Sequence, residues 1–220
     1  MKKVILITGG SDGLGKEMAR LLSSSNQVII VARNKSKLMS TAKEVGCEYY
    51  LCDITDYIQI QGAVKDVLKK YKKIDVLINN AGLWIEGNLD SNDPEDIKKL
   101  LEVNTLGTIW FSRAVIPTMK KQGKGEIINI VSQAGLAIAP ERSVYYASKW
   151  AITGFTKSLS QELESEGIRV TGIYPGKLDT KLFEKAGNPK DLSDALDISE
   201  VAKAVEFVLY VKPSTHILDI

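Results

Sequence analysis

One histidine and two cysteines are all that this 220-residue sequence offers to soft-metal or imidazole chemistry. With His216 as the sole imidazole, a Ser–His or Cys–His triad has almost nothing to draw on, and a His/Cys metal site lacks ligands. The cysteines stand in "CEYYLC", Cys47 and Cys52, an odd spacing that puts them on opposite faces of a strand. That excludes a metal pair or a local disulfide, and two cysteines make no disulfide framework. Charge is equally uninformative: 29 basic against 27 acidic residues leave a net +2, so neither nucleic acid nor a membrane is expected as a partner. Long hydrophobic runs are missing too. "MKKVILIT" begins like a signal peptide, but its apolar run stops at Ile7 and Gly9-Gly10 follow. Nothing spans a bilayer, and a cytoplasmic location is the expectation. The 44% hydrophobic and 25% charged content fits one soluble globular domain, residues 1–220, with a substantial core.

Short β-branched runs alternate with longer amphipathic ones. Strands are predicted at 4–8, 27–32, 47–52, 76–80, 126–132 and 169–175, with "HILDI" (216–220) as a seventh. Helices are predicted near 15–24, 35–44, 56–71, 94–121, 144–166 and 199–211. Asp93-Pro94 starts the fourth as N-cap and N1, and Pro117 is expected to end or bend it. Strict β/α alternation predicts an α/β fold: a doubly wound parallel sheet of the Rossmann type, about seven strands with helices on both faces. Such sheets bind ligands at the carboxyl ends of their strands.

"TGGSDGLG" (8–15) joins the first strand to the first helix. Gly9, Gly13 and Gly15 let the backbone turn tightly, and the helix start offers free N–H groups to a pyrophosphate. The second strand ends in "VIIVARN", where dinucleotide-binding domains that take NAD place an acidic residue. Arg33 stands there instead, suited to a 2′-phosphate, so NADP(H) is expected over NAD(H).

"SVYYASKWAITGF" (143–155) sets Tyr145 and Lys149 one helical turn apart. About one such pair is expected by chance in this composition, so the pair alone decides nothing. Together the motifs do. The chain resembles the short-chain dehydrogenase/reductase family, in its compact single-domain branch, from residue 4 to about 212. The resemblance rests on "TGGSDGLG", "CDIT" (52–55), "NNAG" (79–82), "VNTLG" (103–107), "INIVSQAG" (128–135), "YYASK" (145–149) and "YPGKLDT" (174–180), in order.

That resemblance implies a catalytic tetrad of Asn104, Ser132, Tyr145 and Lys149. It implies cofactor contacts at Thr8, Gly9, Ser11, Asp12, Gly13, Leu14 and Gly15; at Arg33 and Asn34; at Asp53 and Ile54; at Asn80, Ala81 and Gly82; at Tyr145 and Lys149; and at Pro175, Gly176, Leu178 and Thr180. Asp53 would bond the adenine amino group, and Pro175, Gly176 and Thr180 would hold the nicotinamide end. The implied reaction moves a hydride between nicotinamide and a small carbonyl or alcohol. Tyr145 would be general acid/base, its phenol made more acidic by the Lys149 ammonium. Ser132 would donate to the substrate oxygen, and Asn104 would anchor a proton-supplying water chain.

Leu83, Trp84, Leu136, Ile138, Leu182 and Phe183 are the expected apolar wall, and 177–194 reads as a short lid. Three departures stand out: Thr171 where relatives carry Asn, Leu178 for Val or Ile, and no glycine-rich ending of the kind that supports tetramers. A homodimer through 94–121 and 144–166, or another homo-oligomer, is therefore expected, with Trp110 and Trp150 in that interface or in the core. The rival reading is a catalytically silent NADP(H)-binding sensor.

Overall fold

The computed structural model describes residues 2–212 and 214–220. Six strands form one parallel sheet: β1 (Val4–Thr8), β2 (Gln27–Ala32), β3 (Glu48–Leu51), β4 (Val76–Asn79), β5 (Gly125–Ile130) and β6 (Ile168–Ile173). Their order is β3-β2-β1-β4-β5-β6. The chain therefore reverses its winding between β1 and β4, which opens a crevice at the strands' carboxyl ends.

Alternation sorts the side chains of β1. Val4 and Leu6 face one layer, with Val64, Val67, Phe111, Val115 and Leu163. Ile5 and Ile7 face the other, with Met18, Leu22, Leu38, Val205 and Leu209. The first layer is built from α3 (Tyr57–Tyr71), α5 (Gly107–Gln122) and α6 (Ser143–Leu163). The second uses α1 (Gly13–Leu22), α2 (Lys35–Val45) and α8 (Ile198–Tyr210). Two further helices lie outside these layers: α4 (Pro94–Leu101) and the four-residue α7 (Leu182–Lys185).

Three expectations need correction. The fourth predicted helix does not run through: α4 and α5 are separated by a π-helical turn, Glu102–Leu106. Pro117 does not end α5, which continues to Gln122 and stops at Gly123 with φ 65°. Pro117 lies on the exposed face, where water can serve the carbonyl its ring leaves unbonded. The seventh strand is reduced to a bridge between Gly172 and Asp219. The segment still runs along β6: Gly172 N–H donates to Leu218 O (2.8 Å) and Ile220 N–H donates to Gly172 O (2.9 Å). Thr171 has a part in this, since its hydroxyl donates to Ile217 O at 2.6 Å.

Candidate active site

A cavity of about 1070 Å³ runs across the carboxyl ends of the strands. At one end lies the loop from β1 to α1. Asp12 caps α1, its carboxylate accepting from the Gly13 N–H at 2.9 Å. Gly9 sits at φ 65°, and a Cβ there would lie 2.8 Å from Ala81 Cα. A Cβ on Gly15 would lie 2.3 Å from Gly9 O, so only glycine permits this approach of helix to loop. "NNAG" is tied to the same loop. Thr8 Oγ1 accepts from the N–H groups of Asn80 (2.9 Å) and Ala81 (3.1 Å), and Asn80 Nδ2 donates to Thr8 O at 3.0 Å.

Most of the sequence-derived residues converge on the cavity. Gly9, Ser11, Asp12, Gly13, Leu14, Arg33, Asn34, Asp53, Ile54, Asn80, Ala81 and Gly82 line one arm. Ser132, Tyr145, Lys149, Pro175, Gly176, Leu178 and Thr180 line the other. Thr8, Gly15 and Asn104 stand behind the wall as braces. The glycine cradle, the start of α1 and the exposed Arg33 fit a phosphorylated dinucleotide in shape and charge. Asp53 Oδ1 accepts from Thr55 N–H and Thr55 Oγ1, while Asp56 caps α3.

At the other end, Ser132 holds φ 143° and ψ 155°, a region normally left to glycine. Its hydroxyl accepts from the Ala134 N–H at 3.1 Å and lies beside the Tyr145 phenol, whose acidity it raises. Lys149, one turn along α6, places Nζ 5.7 Å from the Tyr145 ring centroid and donates to Ile130 O at 3.4 Å. Asn104 lies in the π turn. Its Oδ1 accepts from Leu83 N–H at 2.7 Å, and its Nδ2 donates to Leu83 O (3.0 Å) and Ser148 Oγ (3.2 Å). The turn thus locks the loop after β4 to α6, a use of π turns common at functional sites.

The family profile described as "short chain dehydrogenase" matches residues 3–191. The chain belongs to that family. Among relatives of this short-chain dehydrogenase is an uncharacterized oxidoreductase of Staphylococcus saprophyticus, 33% identical over 207 residues, covering 88% of each chain. Among solved structures, an alcohol dehydrogenase from the archaeon Thermococcus sibiricus, complexed with 5-hydroxy-NADP, superposes with TM-score 0.91 at 26% identity. It covers all of this chain and 95% of its own. A 3-ketoacyl-(acyl-carrier-protein) reductase from Brucella melitensis, complexed with NADH, also gives TM-score 0.91, at 28% identity over 99% of this chain and 96% of its own.

In this short-chain dehydrogenase the electrostatics of the pair differ from the sequence expectation. Burial pushes the Tyr145 phenol up to about 12, with the neighbouring Ser132 hydroxyl pulling the other way. Burial also pushes the Lys149 ammonium down to about 8. In the protein alone, loss of water at both groups sets these two directions. Burial thus keeps the proton on the Tyr145 phenol at neutral pH.

The apolar wall is Leu83, Trp84, Leu182 and Phe183. Trp84 packs on Tyr145 with centroids 4.4 Å apart, and Phe183 meets Trp84 edge-on at 5.0 Å. Leu136 and Ile138 are not part of it; they point to solvent, 53% and 86% exposed. Sequence reading missed the cations that join them. Lys37 and Lys185 line the cavity, and Glu86 is held between Arg142 (2.9 Å) and Lys190 (2.6 Å). A surface lysine carries no local signal of the cavity it borders. Among the described residues no helix is long and apolar enough to cross a membrane.

Proposed function

We propose that this protein is an NADP(H)-dependent oxidoreductase that interconverts a small carbonyl compound and its alcohol, with Tyr145 as general acid/base. The observation that carries this is the convergence of Ser132, Tyr145 and the buried Lys149, one turn along α6 from Tyr145, on one cavity with the glycine cradle. The presence of an NADP derivative in the Thermococcus sibiricus neighbour supports the phosphorylated cofactor, as does the exposed Arg33 at the end of β2.

The backbone of residues 9–15, with Arg33, would hold the phosphates; Pro175, Gly176 and Thr180 would hold the nicotinamide end. When bound, NADP(H) supplies or accepts the hydride. Tyr145 gives its phenolic proton to the substrate oxygen in reduction and takes one back in oxidation. Ser132 donates to the same oxygen, and Lys149 stabilises the phenolate that remains. Asn104 holds Leu83 and so fixes the wall opposite Tyr145. The protein is expected to act as a homodimer or other homo-oligomer through the outer faces of α5 and α6, where Trp150 is 47% exposed.

The test is NADPH oxidation against a panel of ketones and aldehydes, with Tyr145→Phe alongside. The variant should lose at least about a hundredfold in turnover, while its Kd for NADPH stays within about twofold of wild type. Turnover at wild-type rate in Tyr145→Phe would remove Tyr145 from the reaction.

A further inference from the structure

The loop between β1 and α1 carries a carboxylate among groups suited to an anion. One oxygen of Asp12 caps α1. The other, Oδ2, faces two cations: Lys185 Nζ at 2.7 Å and Lys37 Nζ at 3.7 Å. Lys37 comes from the first turn of α2, beside Arg33 and Asn34. Lys185 comes from α7, in the segment next to the apolar wall, 173 residues along the chain. All five side chains border the same cavity.

We propose that Asp12 is a built-in counter-ion that limits selectivity for a 2′-phosphorylated dinucleotide over its unphosphorylated counterpart, and that Lys185 partly relieves that limit by neutralising it. The inference rests on the NADP(H) reading above and concerns how strongly the site enforces it. Arg33 and Lys37 favour the 2′-phosphate dianion. Asp12 opposes it twice, by direct repulsion and by competing for Lys37. The Lys185 hydrogen bond holds the Asp12 carboxyl below the usual carboxylate range, so the opposing charge is present at neutral pH. Because Lys185 sits on the substrate side, displacement of α7 uncovers the carboxylate and weakens discrimination. These charges are partly exposed, so the effect is modest and screened by salt.

The experiment is calorimetric titration of NADPH and NADH, without substrate, into wild type, Asp12→Asn, Lys185→Gln and the double variant. Asparagine caps a helix as well as aspartate does, so α1 keeps its start. Asp12→Asn should tighten NADPH about three- to fivefold more than NADH at low salt, and the difference should shrink in 0.5 M salt. Lys185→Gln should move the NADPH/NADH ratio the opposite way by about twofold, and only while Asp12 is present. An unchanged ratio in Asp12→Asn overturns the proposal. An equal Lys185→Gln effect in both backgrounds means that Lys185 acts on the cofactor directly, and overturns the coupling. Failure of wild type to bind NADPH refutes the underlying reading instead, and shows before any variant is compared.

Discussion

Ser132 carries two burdens at one position: its hydroxyl is proposed to serve the substrate oxygen beside Tyr145, and its backbone adopts φ 143°. The two separate by substitution. Ser132→Gly and Ser132→Ala both remove the hydroxyl, and each should lower kcat by about a hundredfold or more. Only glycine is at ease in that backbone region. Ser132→Gly should therefore unfold at a temperature higher by roughly 2–4 °C, for a gain of about 1 kcal/mol, whereas Ser132→Ala should not. Thermal unfolding of both variants decides it; equal melting temperatures would show that no strain is stored there. Lys149 poses the same conflict in charge. It is 7% exposed, and burial moves it down to about 8 from an ordinary 10.5. The unfolded chain therefore holds this proton more tightly than the folded one. Folding is penalised below pH about 8, and the penalty lifts as pH rises to about 10.5. Lys149→Met should be the more stable protein at pH 7, by up to about 3 kcal/mol. Chemical denaturation from pH 7 to 10 should show that advantage closing, and a constant difference would refute the assignment.

At the scale of elements, the approach of α1 to its loop is the tightest constraint on the site. Gly15 was expected to touch cofactor; the structure places it behind the cavity, with no room for a Cβ beside Gly9 O. Gly15→Ala should cost about 1–3 kcal/mol by overpacking and should weaken NADPH binding only through displacement of the loop. Denaturant titration would show the loss, and undiminished stability would return Gly15 to the role of a ligand contact. Five of the six strands were legible from their β-branched runs and β3, EYYL, from its paired tyrosines, while the order of the motifs pointed to the family. What stayed hidden depends on contacts distant in sequence. The π turn at Asn104 follows from Leu83 and Ser148, which lie 21 and 44 residues away. Pro117 marks a helix end by local rules, and its exposure is visible only once α5 is packed. Leu136 and Ile138 read as wall because they are apolar, yet their loop turns them outward.

Over the whole molecule, the two margins of the sheet differ. At one, the segment 217–220 occupies the outer hydrogen-bonding groups of β6. At the other, β3 is only four residues long, and Glu48 on it is paired with Lys70. A strand whose outer row is already taken offers no template to another chain, and a short charged one offers a poor template. The last residues thus guard solubility: a protein lacking them would present β6 as an open docking edge, and self-association would compete with folding.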